Sequence, residues 1–465
     1  MKILVTGATG LLGKKLILAL VRQGHSVNIL SRNVGRAKKL LPLGCQVFAW
    51  ANTFESPPDE AFLGLDGVIN LMGEPIFKGV WTREKKSRVE ASRVEATRQI
   101  IKKVNDSGLV LDFFLQASAA GIYPFGEERH DEQSPMGDHY LAGLCRRWEQ
   151  ASMDLQGVEP TILRFPVVLD HKADIIKKLK LATFSFLSPH IGDGRQKFSW
   201  IHLTDAVRAM LHCIEKKLRG PVNICAAEPC SMREFNKTAV QKLGAHAVPV
   251  PISAAVLGRI MGPPINIVSQ SQLMDPKILE ASGFIYTYPL LADALEQCMG
   301  LFRDPKTSKM HSCFLLERYQ FVPEPLDKVW PFFANPANLE AITPKSLRFK
   351  ILSTPEESHK GQVIKYQLRL NGVPMRWRSE ILEYEEKDHF VDYQLSGPYR
   401  IWHHLHSFES VGSGTLISDQ IHFRLPLSRI GLIAIGYVFK DLRKIFSYRR
   451  EIIEKLFSGN DSKSS

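Results

Sequence analysis

The chain has 465 residues, of which 44% are hydrophobic and 23% are charged, and its formal net charge at pH 7 is +12. This length is too great for a single ordinary core, so we expect two or three domains with the composition of a soluble globular protein. The lysines and arginines are spread along the chain without a zinc-ligand, helix-turn-helix or aromatic–basic RNA motif, which argues against a nucleic-acid-binding protein.

The chain opens with an apolar strand, a glycine-rich turn and a helix, in the order that a dinucleotide site requires. Residues 1–13 read MKILVTGATGLLG, which predicts a strand over 2–6 and a helix over 11–23. Gly7 permits the tight turn, Gly10 lets the backbone approach a pyrophosphate, and Gly13 lets the helix pack on the strand. The N–H groups at the helix start favour phosphates. The alternative is a glycine turn that binds no ligand.

The end of the second predicted strand, over 26–31, indicates which dinucleotide is bound. An acidic residue at this point would hydrogen-bond the 2′-hydroxyl of NAD. The chain has instead Ser31 and Arg32, with further basic residues close behind. A guanidinium binds a 2′-phosphate through two parallel hydrogen bonds. NADP(H) is therefore the predicted cofactor, with a solvated surface role for Arg32 as the alternative.

Strands and helices then alternate up to about residue 170, which predicts a doubly wound parallel sheet of the α/β class. The segment 170–300 is more irregular and is predicted to form a small lobe that covers the substrate. The predicted strands of this part lie at 2–6, 26–31, 46–49, 67–71, 112–118 and 161–168, and the predicted helices at 11–23, 83–106, 138–155, 204–217, 231–243 and 289–302.

The pattern changes after a polar connector at 303–311. A helix near 326 and a run of alternating strands follow, at 312–321, 348–353, 362–372, 375–386, 389–396, 401–410 and 414–424. A long amphipathic helix over about 427–458 ends this α+β part, and 459–465 form a polar tail. We therefore predict one domain over 1–302, with the lobe at 170–300, and a second over 310–458.

Seven cysteines are scattered along the chain without a CxxC pair. This usage suits reduced thiols rather than a disulfide framework or a metal cage. The N-terminal strand belongs to the fold and is not a signal peptide, and the longest apolar run, 430–439, is too short to cross a bilayer. We expect a cytoplasmic protein without a transmembrane segment.

Several blocks within 1–300 resemble the atypical extended short-chain dehydrogenase/reductase group of epimerase-family proteins (NAD-dependent epimerase/dehydratase-like). The blocks are TGATGLLG at 6–13, NLMGEPI at 70–76, SRVEAT at 92–97, ASAAGIY at 117–123, CRRWE at 145–149 and GDGRQKFSWIH at 192–202. The resemblance implies a Rossmann-like fold and an oxidoreductase or epimerase-like enzyme acting on a small substrate. The residues predicted to contact NADP(H) are Gly7, Thr9, Gly10, Leu11, Leu12, Gly13, Ser31, Arg32, Leu71, Met72, Gly73 and Ser118.

The catalytic pattern of that family is incomplete in this chain. The family uses a serine, a tyrosine and a lysine four residues after the tyrosine, and the lysine lowers the pKa of the phenol. Ser118 matches the serine. In the register set by Glu149 the tyrosine and lysine positions hold Leu141 and Cys145, and in the register set by Tyr140 the lysine position holds Leu144. The candidate catalytic residues are Ser118 and Tyr140.

Two further residues are candidates for substrate binding. Tyr123 ends the block at 117–123, and Arg195 lies in the GDGRQ turn, where extended family members meet their substrate. A guanidinium at this point suits a phosphate or a carboxylate. A surface arginine is the alternative for Arg195, and a packed aromatic residue is the alternative for Tyr123.

The segment 310–458 resembles the START-like helix-grip domains of the SRPBCC (polyketide cyclase/lipid-transport) superfamily. The resemblance is carried by PEPLDKVW at 323–330, PANL at 336–339, Gly397-Pro398, WHHLH at 402–406 and the terminal helix. It implies an apolar cavity for a hydrophobic ligand. Strand alternation places His404 and His406 on one face, but no carboxylate or cysteine at a suitable spacing completes a metal site, so no metal is predicted.

Three functions remain open at this stage. The first is an NADP(H)-dependent oxidoreductase or epimerase-like enzyme. The second is a nucleotide-sensing or ligand-carrying protein in which NADP(H) has a structural or regulatory role, which the missing Tyr-x-x-x-Lys pattern favours. The third is a lipid- or polyketide-binding module with an enzyme fused to it for delivery.

Overall fold

The computed structural model describes residues 1–41, 44–353, 358–370, 372–426 and 431–457. The chain divides into two compact units. The first comprises Met1–Leu40 and Cys45–Met299, and the second comprises Leu41–Gly44 and Gly300–Ser465. The predicted tail at 459–465, residue 458 and the predicted first turn of the terminal helix at 427–430 lie outside the described residues. The domain bounds 1–302 and 310–458 stay a prediction.

The first unit is built on alternating strands and helices. Its strands are β1 (Lys2–Thr6), β2 (Ser26–Ser31), β3 (Gln46–Ala49), β4 (Gly67–Asn70), β5 (Phe113–Ala119), β6 (Arg129–His130), β7 (Thr161–Phe165), β8 (Val167–Leu169), β9 (Leu187–Ile191), β10 (Lys197–Phe198), β11 (Trp200–His202), β12 (Gly220–Asn223), β13 (Cys230–Ser231), β14 (Val248–Ile252) and β15 (Leu273–Met274). Its helices are α1 (Leu11–Arg22), α2 (Val34–Leu40), α3 (Arg83–Glu90), α4 (Ala96–Asp106), α5 (Tyr140–Gln150), α6 (Asp174–Phe184), α7 (Leu203–Glu215), α8 (Met232–Lys242), α9 (Ala254–Met261), α10 (Ile265–Ser269), α11 (Lys277–Ala281) and α12 (Leu291–Cys298).

Seven of these strands form one parallel sheet in the order β12-β7-β5-β4-β1-β2-β3. The order reverses direction between β1 and β4, and such a switch point leaves a crevice at the carboxyl ends of the strands, where ligands bind. The sheet confirms the predicted Rossmann-like architecture. One buried cluster joins Ile100 and Val104 of helix α4 to the strand residues Leu4, Val68 and Phe114.

The region from residue 170 to 299 carries short sheets of two strands each. β8 pairs with β11 and β9 with β14 in parallel, and β10 pairs with β13 in an antiparallel ladder. The helices predicted at 204–217, 231–243 and 289–302 are present as α7, α8 and α12. The role of this region as a substrate lobe stays a prediction.

The second unit contains an antiparallel sheet and a long final helix. Its elements are β16 (Leu301–Arg303), β17 (Met310–Ser312), β18 (Phe314–Val322), α13 (Leu326–Ala334), β19 (Lys350–Ile351), β20 (Val363–Leu370), β21 (Val373–Glu385), β22 (His389–Ser396), β23 (Ile401–Val411), β24 (Gly414–Arg424) and α14 (Gly431–Phe457). The sheet order is β18-β24-β23-β22-β21-β20-β19. Helix α14 buries Leu442 and Phe446 in one cluster with the strand residues Ile421 and Phe423.

The segment 303–311, predicted to be a connector, contributes to the second unit. β16 and β17 pair antiparallel across it. Asp304 accepts a hydrogen bond from the Tyr393 hydroxyl at 3.0 Å, and Lys306 pairs with Glu380 at 2.7 Å. Polar residues of the predicted connector therefore make side-chain contacts to the antiparallel sheet.

Among the described residues, no helix combines the length and the apolar character needed to span a membrane.

Candidate functional site

The glycine loop between β1 and α1 is packed so closely that side chains are excluded. Gly7 has φ +66°, and a Cβ there would overlap the carbonyl oxygen of Leu71. A Cβ at Gly13 would overlap the backbone of Gly7 and Ala8. The amide of Gly10 donates to the carbonyl of Gly7 at 2.9 Å, which closes the turn. Gly7 and Gly13 therefore have no space for a side chain, and the Gly10 amide holds the turn closed.

Helix α1 begins directly after this turn. Gly10 is its N-cap and offers no side-chain hydrogen bond. The first amides of a helix have no partner within the helix, so this start attracts an anion. Thr9, Leu11 and Leu12 are only partly buried at this point, which leaves the helix start approachable.

A buried polar network fixes the carboxyl ends of the neighbouring strands. The Thr6 hydroxyl donates to Asn70 Oδ1 at 2.6 Å, and the Asn70 amide donates to Gln116 Oε1 at 2.9 Å and to Thr97 Oγ1 at 3.0 Å. Sequence analysis missed the central role of Asn70. The available signal was an uncharged polar residue that ends an otherwise apolar strand.

The predicted cofactor residues after β4 lie against a turn of π-helix. Residues 91–95 form this turn between α3 and α4, where a single helix over 83–106 was predicted. Ser92 accepts a hydrogen bond from the Glu74 amide at 2.9 Å, and Arg93 donates to the Glu74 carbonyl at 3.0 Å. The Arg93 guanidinium also lies 3.0 Å from where a Cβ of Gly73 would be. Turns of this kind occur frequently at functional sites.

Arg32 extends from the end of β2 into solvent. Its side chain is 70% exposed, and its guanidinium lies 4.0 Å from Glu74 Oε2. Burial raises the pKa of Glu74, but the hydrogen bond and charge of Lys85, with a smaller contribution from Arg32, lower the pKa overall. Glu74 is therefore an ionised carboxylate held by Lys85, and Arg32 keeps its guanidinium available to a further anion.

Ser118 lies in a buried charged cluster. Its hydroxyl donates to Glu149 Oε1 at 2.5 Å. Arg164 holds the same carboxylate with Nε at 3.0 Å from Oε1 and Nη2 at 2.8 Å from Oε2. Burial opposes the charge of Arg164, but the bonds to Glu149 raise its pKa. A doubly hydrogen-bonded pair of this kind has a fixed orientation.

Tyr123 is the next member of this cluster and is 0% exposed. Its hydroxyl donates to Asn223 Oδ1 at 2.7 Å and accepts from Arg164 Nη1 at 2.9 Å. Burial raises the pKa of Tyr123 to about 12, so the phenol stays protonated at neutral pH. The structure thus gives Tyr123 a packed, internally bonded role, and substrate binding by this residue stays a prediction.

In the register set by Glu149, the lysine position of the family pattern holds a buried thiol. Cys145 is buried, and burial raises its pKa to about 12. Tyr140 begins helix α5, is 37% exposed, and packs edge-on against Trp81 with ring centroids 5.9 Å apart. Tyr140 precedes Glu149 by nine positions, about 13 Å along the axis of one helix. The structure therefore does not bring Tyr140 and the partner of Ser118 together.

Arg195 lies in an exposed turn. Its side chain is 80% exposed and lies 3.5 Å from Asp193 of the same turn. No hydrogen bond joins Arg195 to Tyr123, the other predicted substrate residue, within the described chain.

A carboxylate that residue spacing did not indicate lies beside His404 and His406. Asp419, on the neighbouring strand β24, lies directly opposite His406 in the ladder. His404 Nε2 and His406 Nδ1 are both 2.9 Å from Asp419 Oδ1. Cross-strand neighbours are distant in sequence, so residue spacing alone did not reveal Asp419.

The fold and the glycine loop together define a dinucleotide-binding protein of the short-chain dehydrogenase type, and comparisons identify its family. The model of the NAD dependent epimerase/dehydratase family matches residues 3–225. The chain is 34% identical over 314 residues to the epimerase family protein YfhF of Bacillus subtilis, covering 66% of this chain and 100% of that protein. It therefore belongs to this epimerase family.

Two further proteins are similar over about the same share of the chain. The chloroplastic SDR39U1 homolog of Arabidopsis thaliana is 28% identical over 316 residues, which cover 64% of this chain and 87% of the homolog. The crystal structure of human epimerase family protein SDR39U1 (isoform 2) with NADPH has a TM-score of 0.57 and 26% identity, and the match covers 64% of this chain and 99% of that one. The START-like resemblance of 310–458 stays a prediction.

Proposed function

We propose that the first unit binds NADP(H) on the loop from Gly7 to Gly13 and acts as an oxidoreductase or epimerase-like enzyme on a small substrate. The observation that carries this proposal is the loop itself, in which Gly7 and Gly13 have no room for a Cβ and α1 begins at an uncapped glycine. The human relative, whose structure contains NADPH, supports the same cofactor. When bound, the nicotinamide donates or accepts a hydride.

The preference for the phosphorylated cofactor rests on Arg32. β2 ends at Ser31 and Arg32 follows it, with no acidic side chain in these positions to repel a 2′-phosphate. Arg32 is exposed, and its ion pair with Glu74, the one it makes among the described residues, is long at 4.0 Å. A 2′-phosphate would therefore gain a charge-assisted hydrogen bond without breaking a strong existing contact.

Calorimetric titration tests this assignment. We expect wild-type protein to bind NADPH more tightly than NADH, and Arg32→Ala to lose about 1.5–3 kcal/mol of NADPH affinity. Arg98→Ala removes another exposed arginine, one that pairs with Glu95 at 2.6 Å, and serves as the matched control. Equal binding of the two cofactors by wild type, or unchanged NADPH affinity in Arg32→Ala, would refute the role of Arg32.

For the chemical step we propose that Ser118 contacts the substrate oxygen. Its only hydroxyl proton is donated to Glu149, so its oxygen is left to accept a hydrogen bond from a substrate hydroxyl. Glu149 and Arg164 act as positioning residues, because the doubly bonded pair fixes the carboxylate that orients Ser118. Tyr140 and Arg195 remain candidates at the rim, where each is exposed.

A second candidate is a nucleotide-sensing or ligand-carrying protein in which the cofactor is structural. The buried Cys145 at the lysine position favours it, because a neutral thiol cannot lower the pKa of a phenol as an ammonium does. Turnover of NADPH against hydrophobic carbonyl compounds separates the two functions. Tight NADPH binding without turnover of any such compound would favour the sensing role.

For the second unit we propose a hydrophobic ligand, as the START-like resemblance implies. A cavity of about 80 Å³ lies among Phe332, Leu339, Ile364 and Phe390, with His404 and His406 also in its wall. A hydrophobic fluorescent probe should bind the protein saturably and be displaced by a bulky apolar competitor. Filling the cavity with Leu339→Trp should abolish that binding, whereas the exposed Leu395→Trp on β22 should not. Saturable binding that survives Leu339→Trp would place the ligand elsewhere.

A further inference from the structure

Two histidines and an aspartate meet on adjacent strands of the second unit. His404 and His406 are two positions apart on β23, so their side chains lie on the same face of the sheet. The ladder places Asp419 of β24 opposite His406. One atom from each of the three side chains lies within 4.8 Å of the other two, and all three residues are buried.

The distances suit adjacent ligands of one metal ion. His404 Nε2 and His406 Nδ1 are each 2.9 Å from Asp419 Oδ1. Two ligand atoms about 2.1 Å from an ion, at right angles, are about 3 Å apart. A set of two histidines and one carboxylate binds divalent iron and related first-row ions and leaves further coordination positions open.

His406 supplies the second observation that indicates a ligand. Its side chain is 9% exposed, and its Nδ1 lies 2.9 Å from Asp419 Oδ1 without forming a hydrogen bond. Within the described residues this nitrogen has no hydrogen-bond partner. A buried lone pair that lacks a donor carries a free-energy cost, which a metal ion would remove.

Arg449 is the one cation within ion-pair distance of Asp419 in the described chain, at 3.7 Å. It would compete with a metal ion for this carboxylate. Asp392 lines the same cavity, and its Oδ1 has no hydrogen-bond partner among the described residues.

We propose that His404, His406 and Asp419 bind a divalent first-row transition-metal ion in the second unit. His404 and His406 also line the cavity described above, so the proposed site adjoins that cavity. The sequence alone argued against this site, because Asp419 is thirteen positions beyond His406.

Titration of the chelator-treated full chain with Co²⁺ tests the proposal. We expect one equivalent to bind, with visible d–d absorption, and an Asp419→Asn variant to lose at least tenfold in affinity. His403→Gln is the matched control, because His403 stacks on Phe302 with centroids 4.8 Å apart and belongs to the other face of β23. Arg449→Gln should bind Co²⁺ more tightly than wild type, a gain that a purely structural aspartate–histidine network does not predict.

Several results would overturn the site. One is that wild type does not bind Co²⁺ stoichiometrically. Another is that wild type and Asp419→Asn bind Co²⁺ with equal affinity, and a third is that His403→Gln loses as much Co²⁺ affinity as Asp419→Asn. If Asp419→Asn does not fold, X-ray absorption spectroscopy of the Zn²⁺ complex of the wild-type protein identifies the ligands of the metal ion instead. Two imidazoles with oxygen ligands support the proposal, and any cysteine sulfur in the coordination sphere contradicts it.

Discussion

Ser118 has a different kind of partner from the one the family pattern predicts. The pattern places a tyrosine and a lysine near the serine, whereas the structure places Glu149 and Arg164 there, buried and doubly hydrogen-bonded. Ser118 could be selected from sequence because it matches the serine of the family pattern. Its bond to Glu149 could not, because the two residues are 31 positions apart and only the packing of α5 on β5 brings them together.

Activity measurements on two variants test the role of Ser118. We expect Ser118→Ala to lower kcat more than Tyr140→Phe, because Tyr140 lies about 13 Å from Glu149 along α5. NADPH affinity, measured in parallel, separates a catalytic loss from a loss of cofactor binding. A loss in Tyr140→Phe as large as that in Ser118→Ala would reveal a working phenol and contradict this arrangement.

The pair of Arg164 and Glu149 should be important for stability. Arg164→Met leaves a buried carboxylate without its cation, so we expect the free energy of unfolding to fall by about 3–5 kcal/mol. Arg147→Met is the control, because Arg147 pairs with Glu90 at the surface and its loss should cost no more than about 1 kcal/mol. Urea unfolding measures both. Equal losses in the two variants would contradict a stabilising role for the buried pair.

At the scale of elements, the glycine loop is the part that the sequence predicted best. Strand, turn and helix follow from residues close together in the chain, so local patterns suffice. The predicted single helix over 83–106 failed locally at 91–95, where Ser92 and Arg93 bond the backbone of Glu74, a residue far from them in sequence. The contacts of the segment 303–311 were likewise not predictable from local patterns, since its polar residues bond strands β21 and β22.

Substitution at one glycine of the loop tests the element directly. Gly13→Ala would place a Cβ against the backbone of Gly7 and Ala8, so we expect loss of NADPH binding together with lower thermal stability. Gly143→Ala on α5 is the control, because the nearest atom to its Cβ would be 3.6 Å away and alanine favours a helix. NADPH titration and thermal melting measure both. Full NADPH affinity in Gly13→Ala would contradict the proposed phosphate loop.

At the scale of the whole molecule, the sequence predicted the two kinds of sheet. A switch from strand–helix alternation to consecutive strands predicts a parallel sheet followed by an antiparallel one, and both are present. The second compact unit begins at Gly300 and also includes Leu41–Gly44. The segment 303–311 was predicted to be a polar connector, and the contacts of Asp304 and Lys306 join it to the antiparallel sheet.

This assignment predicts how fragments of the chain behave. A fragment of residues 300–465 should fold alone, because it contains the whole antiparallel sheet, α14 and a core of its own. A fragment of 310–465 should fold with a lower melting temperature, since it lacks β16, the Phe302 ring stacked on His422 and the bond from Tyr393 to Asp304. Circular dichroism and thermal unfolding compare the two. An unfolded 300–465 fragment would refute an independent second unit, and identical melting temperatures would show that 300–309 adds nothing to its stability.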